Sequence, residues 1–145
     1  MKVVLLGNTN LNYSWFIKTH RQGLKLNDVE VVEIDYKSNP ISNIKQKLLQ
    51  IKADYVFEHL SFHPHINPID NVLQMSKEVK DKVGTKFVHF CNDARWEDRY
   101  MGDLSDVYHM GFVGTYPMMK NCMKAWKIPV YYSPYSTLTY KKMSK

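Results

Sequence analysis

Cysteine is scarce in this chain. Its 145 residues include two cysteines, Cys91 and Cys122, and no CxxC pair. Two isolated cysteines do not make the disulfide framework that stabilises small secreted domains, and they supply no structural zinc site. We therefore expect two buried thiols in a domain held together by its hydrophobic core.

Long apolar runs are also absent. No run approaches the ~20 residues that span a bilayer. The start, MKVVLLGNTN, lacks the longer apolar region and the cleavage site of a signal peptide. We predict no membrane span and a cytoplasmic location. The length fits one domain with a sizeable core, which we place at residues 1–135, and residues 136–145 are read as a basic tail or a truncated interdomain connection.

The chain has fewer acidic than basic residues, and its net charge is +6. A basic protein favours anionic partners, among which nucleotides, nucleic acid and acidic membrane surfaces all qualify. The lysines are spread along predicted helix faces, and a dispersed arrangement is more typical of a solvated surface than of a binding stripe. No aromatic RNA-binding signature is present, so nucleic acid is not favoured as a partner.

Short apolar runs alternate with segments whose apolar residues recur at helical spacing. The runs predict six strands, at Lys2–Leu6, Val29–Tyr36, Asp54–Leu60, Lys86–Phe90, Val107–Val113 and Val130–Tyr132. The segments between the strands predict five helices: over 12–24, after Asn39 and Pro40, after Asn67 and Pro68, over 95–104, and from Thr115. In the last of these helices we expect four side chains to face the core, those of Met119, Cys122, Met123 and Trp126.

This alternation predicts right-handed crossovers and a parallel sheet covered by helices on both faces. The expected fold class is α/β, a Rossmann-like three-layer sandwich with a mostly parallel sheet of about six strands. We expect the strand order 3-2-1-4-5-6. In that order the apolar runs Lys2–Leu6 and Lys86–Phe90 are neighbours.

A polar cluster follows the fourth predicted strand within KFVHFCNDARWEDR. Ligands of open parallel sheets bind outside the carboxyl ends of the strands, which favours Asn92, Asp93 and Arg95 as ligand contacts. Asp93 also suits the N-cap of a helix, and the two roles are compatible.

The loop after the first strand, GNTNLN, leads into a helix, so Asn8, Asn10 and Asn12 are further binding candidates. The dinucleotide fingerprint GxGxxG is missing there, and we predict no NAD or FAD and no other cofactor.

Three histidines, His59, His63 and His65, lie within HLSFHPH. Their spacing matches no recognised metal motif, so we predict no metal and interpret the segment as a polar loop with substrate-contacting histidines. His63 is better placed than His59 for general acid or base work, because His59 falls within the predicted strand.

The stretches DYVFEHL, KFVHFCNDARWEDR and GFVGTYPMMKNCMKAWKIPVYYSPY together resemble the N-terminal half of glycosyltransferases with two facing Rossmann-like domains, the GT-B architecture. The resemblance covers roughly residues 1–135. In that family the N-terminal domain mostly receives the acceptor and the C-terminal domain mostly holds the nucleotide sugar. The resemblance implies an acceptor site near Asn8, Asn10, His63 and Asp93. For an acceptor-side domain, our hypothesis is that His63 or Asp93 acts as the base that deprotonates the acceptor hydroxyl.

The chain departs from that family because it ends where the donor-binding half should begin. We expect a fragment or a truncated relative, or a domain that pairs with another polypeptide or with a second copy. The expected ligand is a sugar or nucleotide sugar. The alternative is a stand-alone module that binds a nucleotide or another small anion without catalysis.

Overall fold

The computed structural model describes residues 1–7, 15–36, 38–59, 69–91, 102–114 and 116–133. Strands and helices alternate along these residues as predicted, apart from the fourth and fifth strands, between which most residues lie outside the described part. The strands are β1 (Lys2–Gly7), β2 (Glu30–Asp35), β3 (Tyr55–His59), β4 (Lys86–Cys91), β5 (Tyr108–Val113) and β6 (Val130–Tyr132). The helices are α1 (Trp15–Lys25), α2 (Ile41–Ile51), α3 (Ile69–Val83) and α4 (Tyr116–Trp126).

All six strands belong to one parallel sheet in the order β2-β1-β3-β4-β5-β6. The predicted fold class is confirmed, but the predicted order is wrong, because β3 lies between β1 and β4. The burial of β2 and β3 agrees with the observed order. In β2 only Ile34 is fully buried, as suits an edge strand, whereas Val56, Glu58 and His59 of β3 are all buried.

Helices cover both faces of the sheet. On one face, Ile17 and Leu24 of α1 pack with Val3 and Leu5. On the other face, the packed side chains come from α2, α3 and α4 together with alternate strand residues, and include Ile44, Leu48, Val72, Met75, Val79, Cys122, Trp126, Val4, Leu6 and Val56. With helices on both faces, the sheet is doubly wound. Its first five strands have the flavodoxin-like order 2-1-3-4-5.

The apolar stripes of α2 and α4 place these helices on the core, with two corrections. The pair Asn39 and Pro40 favours Asn39 as the N-cap and Pro40 as the first helical residue. In the structure Pro40 is the N-cap of α2, and the Asn39 side chain donates a hydrogen bond to the Asp35 carbonyl at 2.7 Å. Cys122 and Trp126 are fully buried as predicted, but Met123 is 45% exposed. A residue one position after Cys122 is turned about 100° around the helix, so both cannot face the core equally.

The predicted helix over 95–104 lies mostly outside the described residues, and Gly102–Leu104 at its end are not helical. Leu104 is nevertheless buried, and its N–H donates to the Trp126 carbonyl at 2.9 Å. This bond connects the segment before β5 to the end of α4. Among the helices of the described part, none has the length and apolar character needed to cross a membrane.

Candidate functional site

The chain changes direction across the sheet between β1 and β3. The connection after β1 leads to α1 on one face, and the connection after β3 leads to α3 on the other face. Gly7 and His59, the last residues of these strands, are direct partners in the parallel ladder. Such a point, where neighbouring connections diverge, forms the crevice in which doubly wound sheets bind their ligands.

Gly7 allows α1 and β3 to approach closely at this point. A Cβ atom on residue 7 would lie 2.6 Å from Ile17 Cδ1 and 3.0 Å from His59 Cβ. Both distances are shorter than ordinary van der Waals contacts. A side chain at residue 7 would therefore require the end of the Ile17 side chain to move and His59 to shift.

Two histidines meet beside Gly7. The Nδ1 atom of His20, on α1, lies 3.0 Å from Nε2 of His59, so one imidazole donates a hydrogen bond to the other. Phe90, near the end of β4, contacts both rings with centroid separations of 4.6 Å, and it is stacked on His59. The hydrogen bond between the two imidazoles and their contacts with Phe90 therefore hold both rings in place.

Burial keeps both imidazoles uncharged at neutral pH. It lowers the pKa of His20 to about 4. Burial also holds the pKa of His59 well below its ordinary value, and the nearby His20 and His89 add to that effect. Neutral imidazoles can donate and accept hydrogen bonds, but a group with so low a pKa is a weak proton acceptor. The pair is suited to orienting a polar group rather than to removing a proton from it.

A second polar cluster lies near the same ends of the strands, on the opposite face of the sheet from His20 and His59. The fully buried Glu58 accepts hydrogen bonds from the Ser76 hydroxyl at 3.3 Å and from the Tyr108 phenol. His89, also fully buried, is its cross-strand partner on β4, and its ring centroid is 5.3 Å from that of Tyr108.

Burial raises the pKa of Glu58 to about 7, although the Tyr108 hydrogen bond, the adjacent His89 and the Ser76 hydrogen bond all favour the charged form. The carboxyl group is therefore able to change its charge near neutral pH within the core. It connects β3, α3 and β5, which makes the packing of these three elements sensitive to its protonation.

The site residues predicted from the sequence lie outside the described residues. They are His63 and Asp93 as catalytic groups, and Asn8, Asn10, Asn12, Asn92 and Arg95 as binding groups. The described strands that precede them are β1, β3 and β4, which are consecutive in the sheet in that order. The correction of the strand order thus places the end of β3 between the ends of β1 and β4.

Sequence reasoning missed His20 and Glu58. A signal for His20 was present, since Ile17, His20 and Leu24 share one helical stripe that faces the sheet. A signal for Glu58 was its alternation with Val56, which places both side chains on one face of the strand. The burial of the two cysteines was predicted correctly, as Cys91 and Cys122 both lie in the core.

Within the described ranges, no group of three or more histidine, cysteine, aspartate or glutamate side chains is arranged to hold a metal ion. The segments that contain His63, His65 and Asp93 lie outside those ranges, so the absence of a metal stays a prediction.

Comparison with models of protein families finds none that matches the chain, and no curated protein matches it. The likeness to glycosyltransferases therefore rests on the sequence stretches quoted above and on an α/β fold that many protein functions share.

Proposed function

We propose that this chain is the acceptor-side domain of a nucleotide-sugar-dependent glycosyl transfer, and that it binds a sugar at the ends of β1 and β3. The observation that carries the proposal is the neutral pair formed by His20 and His59 beside Gly7. A sugar offers uncharged hydroxyl groups that both donate and accept hydrogen bonds, as neutral imidazoles do. The adjacent ring of Phe90 adds apolar surface.

Transfer requires a base that takes the proton of the attacking acceptor hydroxyl. His20 and His59 are poor candidates, because burial depresses the pKa of each. We assign that role to His63 or Asp93. Asn8, Asn10, Asn12, Asn92 and Arg95 are assigned to ligand binding, because they follow the ends of β1 and β4.

The other half of the reaction needs stabilisation of the departing nucleotide diphosphate, whose negative charge increases in the transition state. In this proposal that stabilisation comes from a second domain, a partner chain or a second copy of this chain. The alternative function is binding of a nucleotide or small anion without catalysis, which the net charge of +6 favours.

Calorimetry separates these two functions. The chain is titrated with simple sugars, nucleotides and inorganic phosphate, and the titrations are repeated with His59→Phe, which keeps a ring against Phe90 but removes both ring nitrogens. The matched control is His109→Phe. His109 is exposed and lies near the amino end of β5, whereas the candidate site lies at the carboxyl ends of the strands.

We expect sugar binding that weakens about tenfold in His59→Phe, the effect of losing one good hydrogen bond, and that is unchanged in His109→Phe. Binding of phosphate or nucleotides without any sugar binding would reject the proposal and favour the anion-binding module. Circular dichroism establishes that each variant is folded.

A further inference from the structure

A row of aromatic rings crosses the sheet on the face that carries His20 and His59. Phe90 is stacked on His59, with ring centroids 4.6 Å apart, and on Phe112 of β5, with centroids 4.8 Å apart. The ring of Phe112 in turn lies 5.7 Å from that of Tyr131 on β6. Phe90 and Phe112 are direct partners in the parallel ladder, as are Phe112 and Tyr131, so the row runs straight across the strands from the histidine pair to β6.

The rings become more exposed with distance from the histidines. Phe90 is 6% exposed, Phe112 is half-buried and Tyr131 is 50% exposed. The apolar cluster around Phe90 includes no residue of the four helices in the described part and consists of strand residues, namely Tyr55, Phe57, Val88, Phe90, Met110 and Phe112. A ligand held by the histidine pair can therefore extend over Phe112 and Tyr131.

The row presents no charged group to such a ligand. Beyond the histidines it consists of Phe90, Phe112 and Tyr131, and the Tyr131 hydroxyl is the one polar group among these three side chains. A phosphate or carboxylate placed on these rings would lose its hydration without gaining an opposite charge from them. A second sugar ring would leave most of its hydroxyl groups without a partner in the row. The row therefore favours an apolar group.

The stacking determines which part of each ring a ligand can contact. The planes of Phe90 and Phe112 differ by 11°, and those of Phe112 and Tyr131 differ by 35°. Phe112 thus has a neighbouring ring on either side, and its edge is the part that remains for a ligand. The hydrogens at the edge of an aromatic ring are slightly positive and attract the negative face of another aromatic ring. An aryl group therefore fits the row better than an aliphatic chain does.

We propose that the acceptor is an aryl glycoside, whose sugar binds at His20 and His59 and whose aromatic aglycone lies across Phe112 and Tyr131. This inference rests on the proposed function. Neighbouring strands are ~4.8 Å apart, so Phe112 lies about 10 Å from His59 across the sheet, and Tyr131 lies about 14 Å from it. A sugar joined to one aromatic ring covers this distance, and the aglycone is removed from water where it packs on the row.

The test is calorimetry with the methyl, hexyl and phenyl glycosides of glucose, galactose and N-acetylglucosamine. The three glycosides of one sugar differ only in the aglycone, so differences in their affinity report on the aglycone's contacts. The wild-type chain is compared with Tyr131→Ala and with Phe112→Leu, which keeps an apolar side chain but removes the ring.

The matched control is Tyr132→Ala. Tyr132 is 45% exposed and follows Tyr131 on the same strand, so its side chain lies on the opposite face of the sheet, where its ring is 5.7 Å from that of Tyr116. Circular dichroism establishes that each variant is folded.

We expect the phenyl glycoside to bind about tenfold more tightly than the methyl glycoside of the same sugar, and more tightly than the hexyl glycoside. In Phe112→Leu and in Tyr131→Ala this preference should fall to about threefold, because each variant removes one aromatic contact. Binding of the methyl glycoside should stay unchanged in both variants, and Tyr132→Ala should behave as the wild type.

Equal binding of the methyl and phenyl glycosides would overturn the aryl subsite and leave the proposed function intact. A phenyl preference that neither Phe112→Leu nor Tyr131→Ala reduces would also overturn it, because the aglycone would then bind elsewhere. Hexyl glycosides that bind as tightly as phenyl glycosides would contradict the choice of an aryl group. No binding of any glycoside would overturn both the inference and the proposed function.

Discussion

Glu58 is a carboxyl group in the core of the protein, where burial raises its pKa from 4.5 to about 7. Because the folded protein holds this proton more tightly than the unfolded chain does, the contribution of Glu58 to stability is full below pH 4.5. It is lost as the pH rises through about 7. The difference in pKa corresponds to a loss on the order of 3 kcal/mol between these limits.

The variant Glu58→Gln isolates this effect, since glutamine still accepts a hydrogen bond from Tyr108 but does not ionise. Urea unfolding of both proteins at pH 5 and pH 8 gives the comparison. We expect the wild type to lose stability relative to Glu58→Gln on going to pH 8. A constant difference in the free energy of unfolding at the two pH values would show that Glu58 does not titrate in this range.

His20 has the opposite dependence, because burial lowers its pKa from 6.5 to about 4. Its contribution to stability is full above pH 6.5 and is lost as the pH falls through about 4, by on the order of 3 kcal/mol. In His20→Phe the ring remains against Phe57 and Phe90 but cannot be protonated.

We therefore expect His20→Phe to unfold at lower pH than the wild type, as followed by tryptophan fluorescence during acid titration. The exposed His109 provides the control, because His109→Phe should leave the acid midpoint where it is. An unchanged midpoint in His20→Phe would mean that His20 is not held neutral by its burial.

At the scale of secondary structure elements, Gly7 determines how closely α1 approaches the end of β3. The Cβ of Gly7→Ala would require Ile17 and His59 to shift, and we expect a loss of about 1–3 kcal/mol, typical of overpacking. Gly23→Ala is the matched control, because Gly23 lies within α1 and a Cβ there meets no atom within 4 Å. That control should stabilise the helix by up to about 1 kcal/mol.

Thermal unfolding of the two glycine variants measures both effects. A Gly7→Ala protein as stable as the wild type would contradict the close packing of α1 on His59. The same variant should also weaken sugar binding, since a displaced His59 no longer holds its position beside His20.

The elements were predictable from the sequence because burial leaves a periodic pattern. Six apolar runs gave all six strands, and the stripes at Ile44, Leu48 and Val72, Met75 gave α2 and α3. The order of the strands was not predictable in this way, since an apolar run reports how deeply a strand is buried and not which strand lies beside it.

The site residues predicted from the sequence stay a prediction, because they lie outside the described residues. They were placed where β1 and β4 would be neighbours, whereas β3 separates these strands and the connections diverge between β1 and β3. The contact between His20 and His59 joins residues 39 positions apart, and only the packing of α1 on the sheet brings them together. No local pattern encodes such a pair.

At the scale of the whole molecule, the proposal predicts a division between binding and turnover. The isolated chain should bind sugars yet show little or no sugar transfer, because an acceptor-side domain does not by itself stabilise a departing nucleotide diphosphate. The measurement is a transfer and hydrolysis assay with a panel of nucleotide sugars, together with the mass of the protein in solution. Efficient turnover by a monomer would contradict the half-site account.

The most direct test of the sugar site follows the histidine ring signals by NMR while the sugars selected by calorimetry are added. His20 and His59 lie at the switch point, whereas His109 is an exposed residue near the other end of β5 and serves as an internal reference in the same spectrum. The account predicts saturable shifts of the His20 and His59 signals with the His109 signal unchanged. Saturable sugar binding that leaves His20 and His59 unshifted would contradict it.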